Sequence, residues 1–269
     1  MTGSSGRATL DWGVGNYERT AQMLHSAARV LVDAAGLRPG ERVLDVGSGT
    51  GNAALLAAAV VGGQVTAVDP SPRLLGVAAA TAQEQGLSVL CKVGTADALP
   101  VADGSCDCVL SNFGVVFAPG ADEAVAEIAR VLDAGGRAVF TAWLPGGAVG
   151  ALAAAAQELV RSALGAPPAP PGFAWHDTSA VSELFSRRGM TVSVAGQHEL
   201  VFNAPSPSGY LDAERDNHPL AVSGFQLLQQ FGQAERAREH LLQVLTEHNE
   251  DPAEFRSTSR YRVFIARAD

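Results

Sequence analysis

Cysteine is scarce in this chain of 269 residues: Cys91, Cys106 and Cys108 are an odd set that cannot pair completely. The single C-x-C lacks the second cluster or the histidine spacing of a zinc site, so buried reduced thiols and no metal centre are expected. Positive charge is short as well, 19 Lys plus Arg against 28 Asp plus Glu for a net charge of −9. Such a surface does not attract phosphate backbones or anionic headgroups, which excludes nucleic acid as a partner. The longest apolar run, Ala53 to Val61, is about half of what a bilayer-spanning helix needs, and Gly62-Gly63 ends it, so no membrane span is expected. The start, Met1 to Arg7, is small and polar without an apolar centre, unlike a signal or transit sequence, and a cytoplasmic protein is expected. With 29 Gly and 14 Pro the chain is neither collagen-like nor of low complexity. What it does have is apolar side chain, 47% against 17% charged, which excludes a disordered chain and supports one large domain or two small ones.

Apolar residues at Met23, Leu24, Ala27, Val30, Leu31 and Ala34 recur at helical spacing and predict a one-faced helix over Asn16 to Ala35, stopped by Gly36. A buried strand follows at Arg42 to Val46, a small apolar helix at Ala53 to Val61, and a strand at Gln64 to Val68. The alternation continues with a helix at Arg73 to Gln85, capped by Ser71-Pro72, and a strand at Ser88 to Val93. A strand at Asp107 to Leu110, a helix at Ala121 to Leu132 and a strand at Arg137 to Ala142 complete it. Five strands alternating with helices predict a doubly wound, Rossmann-like, mostly parallel sheet covered on both faces.

Beyond Trp143 the pattern predicts a helix near Gly150 to Leu164, a stiff loop at Ala166 to Gly172 and a helix at Ser179 to Arg188. A strand then runs from Met190 to Phe202 with a bend at Gly196. Ser223 to His248 reads as one long helix interrupted at most by Gly232, and Arg260 to Ala266 as the last strand, antiparallel, making seven in all. The segment between the last two strands is too long for a hairpin and is expected to form an appended cap over the ligand crevice. The organisation read this way is an N-terminal helical segment over 1–36, a core over 37–203, a helical cap over 204–258 and the final core strand over 259–269.

The chemistry lies in Val43-Leu44-Asp45-Val46-Gly47-Ser48-Gly49-Thr50-Gly51-Asn52. Glycines at 47, 49 and 51, where a buried strand becomes a helix, let the backbone approach a ligand at the C-terminal edge of the sheet. Eighteen residues after Gly51, Asp69 ends the second strand, where a carboxylate accepts from both hydroxyls of a ribose. The pair reports a nucleoside. A dinucleotide fits poorly: counted from Gly47, the third fingerprint position is Asn52 instead of Gly or Ala, and Asp45 would repel a pyrophosphate. A ligand with a ribose, an adenine and a positively charged amino-acid end fits, and S-adenosylmethionine is such a ligand.

These stretches, with Val68-Asp69-Pro70-Ser71, Asp97-Ala98-Leu99-Pro100 and Ser111-Asn112-Phe113-Gly114, resemble the successive motifs of class I S-adenosylmethionine-dependent methyltransferases. The resemblance is greatest to the type 11 group, which shares its core with the ubiquinone/menaquinone C-methyltransferases, and covers residues 12 to 143. It implies that Gly47, Ser48, Gly49 and Gly51 form the loop under the cofactor, with Asp45 near its amino-acid end. It further implies Asp69 on the ribose, Pro70 and Leu74 near the adenine, Asp97 and the Ala98 backbone on the adenine amino group, and Ser111 and Asn112 beside the sulfonium methyl. Tyr17 resembles the aromatic that closes over the cofactor. Phe113, Phe117, Trp143 and Trp175 are the candidate acceptor contacts, Trp143 being either a core lid or a substrate wall. Cys106 and Cys108 depart from the group, which has an aromatic and a branched aliphatic there.

Of the six histidines, His176 and His218 lie in segments expected over the crevice and are the candidate proton acceptors. The expected reaction is in-line methyl transfer to an oxygen, nitrogen or carbon of a small molecule, a quinone or polyketide-like secondary metabolite on the resemblance, by a monomer or homodimer. No Asn-Pro-Pro-Tyr or Asp-Pro-Pro-Tyr follows the fourth strand, which argues against base-amino methylation. Two alternatives stay open: an NAD-dependent oxidoreductase on the same sheet, and a non-catalytic S-adenosylmethionine-binding protein acting through a partner.

Overall fold

Val43–Val46 is buried at every position and forms β1, the middle of the sheet in the computed structural model, which describes residues 11–168 and 172–268. The N-terminal stretch Met1 to Arg7 and the prolines at 170 and 171 of the stiff loop lie outside the described residues. β2 (Val65–Asp69) and β4 (Cys106–Ser111) flank β1 in parallel, with β3 (Val89–Val93) beyond β2 and β5 (Leu132–Trp143) beyond β4. β7 (Phe255–Ala268) then pairs antiparallel with β5, and β6 (Met190–Ala204) antiparallel with β7. The order is β3-β2-β1-β4-β5-β7-β6, the doubly wound, mostly parallel sheet the sequence predicts. Chain direction across the sheet reverses between β1 and β4, and the C-terminal ends of those strands therefore border the crevice where open α/β sheets take ligands.

Alternate strand residues feed two cores. Val43, Val65, Cys108, Val139 and Val263 meet α1 (Tyr17–Ala35) and α2 (Asn52–Val61), while Leu44, Val109, Phe140 and Phe264 meet α4 (Ala121–Val131) and α6 (Thr178–Ser186). α3 (Pro72–Glu84) starts on the expected Ser71 cap, whose Oγ accepts from Leu74 N at 3.4 Å. Gly36 ends α1 in the left-handed conformation that the stop signal requires. At the N-terminal end of the sheet, buried Arg137 on β5 donates to Ala35 O (2.6 Å) and Gly36 O (3.2 Å) and ion-pairs with Glu41 (2.9 Å), fastening the end of α1. Cys106 and Cys108 are buried and Cys91 is half-buried, all three unpaired. Burial pushes the Cys108 thiol up to about 12.

The C-terminal region departs from expectation. The long helix is two, α8 (Pro219–Gln230) and α9 (Ala234–Glu247), because Gly232 turns at φ +66. An unforeseen helix, α7 (Pro207–Asn217), follows β6; Ser206 caps it, accepting from Gly209 N at 3.0 Å, with Pro207 in its first turn. Proline in the first turn of a helix costs no hydrogen bond. α5 (Gly147–Ala163) packs on α8 and α9. β5 begins at Leu132 rather than Arg137 because a register shift against Cys106 to Cys108 takes up the intervening residues. The bend at Gly196 is a register shift between β6 and β7. No described helix is long and apolar enough to cross a membrane.

Candidate cofactor and acceptor site

Between β1 and α2 the chain turns through Gly47, Gly49 and Gly51 at φ +67, +54 and +88, a backbone that side chains other than glycine adopt only at a cost. Space is short as well: a Cβ at 49 would stand 3.1 Å from Tyr17 Cε1, and one at 51 would stand 3.0 Å from Ala78 Cβ. The loop floors a crevice lined by Tyr17, Asp45, Gly47, Ser48, Thr50 and Asn112 among others. Two buried oxygens there, Asp45 Oδ1 and Ser48 Oγ, have no hydrogen-bond partner. A buried acceptor left unmet costs about 1–3 kcal/mol, and a native fold keeps one where a ligand supplies the donor. The other oxygen, Asp45 Oδ2, accepts from Ala54 N at 2.9 Å. Burial above all, with nearby Asp69 adding, raises the Asp45 carboxyl to about 7 against the pull of the Ala54 bond.

Asp69 ends β2, where it joins the glycine loop to the start of α3: Oδ2 accepts from Gly49 N (2.8 Å) and Oδ1 from Ser71 N (2.9 Å). A carboxylate oxygen offers two acceptor positions, so each retains one for a ribose hydroxyl. Burial raises Asp69 despite those two bonds. Gly94 N bonds Asp69 O at 3.2 Å, and this brings the turn carrying Asp97 and Ala98 to the same strand end as Pro70; Leu74 lies buried behind them. The Tyr17 phenol is pushed up to about 12 by burial and by the fields of Asp69 and Asp45, consistent with its place over the loop.

At the end of β4, Ser111 Oγ donates to Val46 O (2.7 Å) and accepts from Val115 N (2.8 Å). Both roles are taken within the fold, so Ser111 shapes the turn instead of presenting a free hydroxyl. Asn112 does line the crevice, its Oδ1 accepting from Thr141 Oγ1 at 3.3 Å, and Thr141 Oγ1 in turn accepts from Phe113 N at 2.8 Å. Phe113 is the one described non-glycine residue at positive φ, +61, a strained conformation for a bulky side chain. Its ring is stacked on Trp143 with centroids 3.9 Å apart, and Tyr261 meets both rings edge-on.

Over the crevice, residues 11–16 form an arm. Arg73 donates to Gly13 O (2.7 Å) and ion-pairs with Glu18 (2.7 Å), while Asn16 N donates to Asn217 O at the end of α7 (2.9 Å). Trp12 joins three predicted residues, its ring centroid 6.2 Å from Tyr17, 4.9 Å from Phe117 and 6.5 Å from His218. Trp175 and His176 do not reach this region. Trp175 packs on Phe140 and Phe173 in the core of the opposite sheet face, and His176 O accepts from Arg262 beside the start of α6. Apolar burial outweighs an exposed role for an indole that can fill the core. His218 does reach the region, but burial pushes it down to about 4 and keeps it neutral.

Sequence reasoning missed Trp12 and Thr141, and it valued Asn52 only as a misfit to a dinucleotide fingerprint. The Asn52 amide donates to Ala21 O at 2.7 Å and locks α1 to the head of α2. Only the capping pair Ser206-Pro207 signalled α7.

Residues 44–140 match the family model described as a methyltransferase domain. An uncharacterized protein of Mycobacterium tuberculosis (strain ATCC 25618 / H37Rv) is 41% identical over 142 residues, 52% of this chain and 52% of its own length. The aklanonic acid methyltransferase DauC of Streptomyces sp. (strain C5) is 35% identical over 136 residues, 49% of this chain and 62% of that protein. The chain thus spans about half the length of the first of these curated relatives. The crystal structure of the YcgJ protein from a Bacillus superposes with a TM-score of 0.63 at 20% identity, covering 91% of this chain and 98% of that one, a likeness of fold. With the glycine loop, Asp45 and Asp69 arranged at the switch point of this sheet, residues 44–140 carry a methyltransferase domain, and its cofactor is S-adenosylmethionine.

Proposed function

We propose that this protein moves the methyl group of S-adenosylmethionine onto an oxygen, nitrogen or carbon nucleophile of a small molecule by in-line displacement. The observation that carries this is the pair of unpartnered buried oxygens, Asp45 Oδ1 and Ser48 Oγ, on the left-handed glycine loop. An ammonium group is the donor they lack, whereas a dinucleotide pyrophosphate would set negative charge against Asp45. Asp69 holds the ribose, Asp97 and Ala98 the adenine amino group, Pro70 and Leu74 its ring, and Tyr17 covers the loop. When bound, the cofactor supplies an electrophilic methyl group on a sulfonium centre. The chain's own part is alignment and exclusion of water: Asn112 fixes the donor edge, Phe113 and Trp143 form its rigid aromatic backing, and the arm with α7 shuts it. Holding two reacting atoms about 3–3.5 Å apart in a dry site supplies much of such an acceleration without a proton transfer.

A net charge of −9 and an enclosed crevice favour a small acceptor over nucleic acid or a protein tail. The relative named for aklanonic acid supports a small-molecule acceptor, and we assign a quinone or polyketide-like secondary metabolite, methylated in the cytoplasm by a monomer or homodimer. Calorimetric titration with S-adenosylhomocysteine, with NAD in parallel and Asp69→Ala as the control, tests the reading. Micromolar binding of the first, lost in the variant, is expected; binding of NAD alone, or of neither, overturns it.

A further inference from the structure

Asp45 sits on the middle strand with 1% of its surface exposed, yet it lines the cofactor crevice. Its two oxygens are placed unequally: Oδ2 accepts from Ala54 N in the first turn of α2 at 2.9 Å, whereas Oδ1 has no partner. Ser48 Oγ, also buried and on the crevice, is the second oxygen without one. Half of the carboxyl is thus fixed by the fold, and the other half is left for whatever fills the crevice.

No positive charge of the described residues answers it. α2, whose first turn holds Oδ2, has no ionisable side chain. From β2 comes Asp69 and from α1 Tyr17, a carboxyl and a phenol, neither of which supplies a cation. The other ionisable groups of α1 are engaged or turned to solvent: Glu18 pairs with Arg73, Arg29 bonds His25, and Arg19 and Asp33 are exposed. Beside β1, Arg42 and Asp107 pair with each other at the N-terminal end of the sheet, where Arg137 of β5 pairs with Glu41. Asn112, on the crevice after β4, is uncharged.

A carboxylate in that setting would keep one oxygen dry with no counter-charge, which is costly, so the empty site favours the neutral acid. The direction of its titration agrees, burial and Asp69 both holding the proton on. A ligand ammonium reverses the balance, because it is at once the donor that Oδ1 lacks and the opposite charge that the carboxylate lacks. Charge-assisted bonds of this kind are the strong ones, and a dry site strengthens them. Asp69 differs: both of its oxygens already accept backbone amides, from Gly49 and Ser71, and the ribose hydroxyls that reach it carry no charge.

Resting on the methyltransferase reading, we propose that Asp45 trades its proton for the ammonium group of the cofactor, so that pH controls how tightly the cofactor is held. In the free protein Asp45 is a neutral acid. As the ammonium docks at Oδ1 and Ser48 Oγ, the carboxyl O–H bond breaks, its electron pair stays on the carboxylate and the proton passes to water. The crevice is uncharged at this point before and after, first as an acid and then as an ion pair, which suits a buried site without cations. Acid conditions oppose loading because the proton must be driven off against its own concentration.

The probes are S-adenosylhomocysteine and 5′-methylthioadenosine, which share the adenine and ribose while only the first carries the ammonium. Each is titrated by calorimetry into the full chain from pH 5.5 to 7.5, in phosphate and in imidazole buffer, so that the difference in heat counts protons. S-adenosylhomocysteine should release close to one proton at pH 6 and gain about tenfold in affinity per pH unit until about pH 7. Methylthioadenosine should release none at any of these pH values. In wild type with carboxyl-labelled aspartate, NMR should show one resonance titrating near pH 7 that moves to its ionised position when S-adenosylhomocysteine is added at pH 6. The same resonance should be missing from Asp45→Asn. Labelling aspartate leaves out Glu214 on α7, whose carboxyl burial also raises to about 7. Binding of S-adenosylhomocysteine without proton release, an equal release with methylthioadenosine, or persistence of that resonance in Asp45→Asn overturns the exchange. Failure of wild type to bind S-adenosylhomocysteine at any of these pH values overturns the reading beneath it instead.

Discussion

Gly47 and Gly114 touch through their backbones: a Cβ on Gly47 would lie 2.6 Å from Gly114 Cα, and one on Gly114 would lie 2.6 Å from Val46 O and 2.8 Å from Gly47 Cα. The contact sets the end of β1 against the turn after β4. It also accounts for the strain at Phe113, which must carry the chain at φ +61 into Gly114 while its amide holds Thr141. The cofactor loop and the donor edge are therefore one rigid unit.

Gly114→Ala must push that unit apart, because backbone atoms cannot rotate away. We expect at least a tenfold loss of S-adenosylhomocysteine affinity by calorimetry. Gly36→Ala is the matched control, since Gly36 is also left-handed (φ +57) but a Cβ there meets nothing within 4 Å. It should cost about 1–2 kcal/mol of stability for the backbone conformation alone and leave affinity unchanged.

Asp45 makes the ligand-free protein sensitive to pH. Its folded carboxyl titrates at about 7, above its ordinary value. Its contribution is therefore fully present below the unfolded pKa of about 3.9 and is lost as pH rises through about 7. Melting followed by circular dichroism from pH 4 to 8 should show this decline, of a few kcal/mol in all. Asp45→Asn should flatten part of it, Glu214 accounting for another part, while weakening S-adenosylhomocysteine at least tenfold. An undiminished slope in the variant would mean that Asp45 is charged in the free protein.

Arg137 offers a test of stability apart from the site. It bridges Ala35 O, Gly36 O and Glu41 at the opposite end of the sheet. Arg137→Met strands those carbonyls and the Glu41 carboxylate and should cost about 3 kcal/mol, roughly 6–12 °C in Tm. Cofactor affinity at a temperature where the variant is folded should stay within twofold.

The nucleoside site was legible in sequence because its parts are local. A buried strand, a glycine turn and a helix start are contiguous, and Asp69 closes the very next strand, so period and spacing alone placed Asp45, Gly47, Gly49, Gly51 and Asp69 within reach of one another. The doubly wound, mostly parallel sheet followed from the alternation of strands and helices, and its strand order came from the structure. Trp175 shows the limit: a tryptophan fits a core as well as a crevice, and only its packing on Phe140 decides.

The sequence by itself determined the sheet, the switch point and the cofactor, all written in runs of fewer than about twenty residues. Tertiary structure alone decided which side chains gather beside the arm. Trp12, Phe117 and His218 come from three segments separated by roughly a hundred residues each, and no periodicity links them. They meet because the arm docks on the end of α7, a helix whose own apolar stripe is only Tyr210 and Leu211 and whose place is set by burial against α1, β6 and α9. Burial on the central strand is also what raises the Asp45 carboxyl to about 7, a property of surroundings that residue type cannot carry.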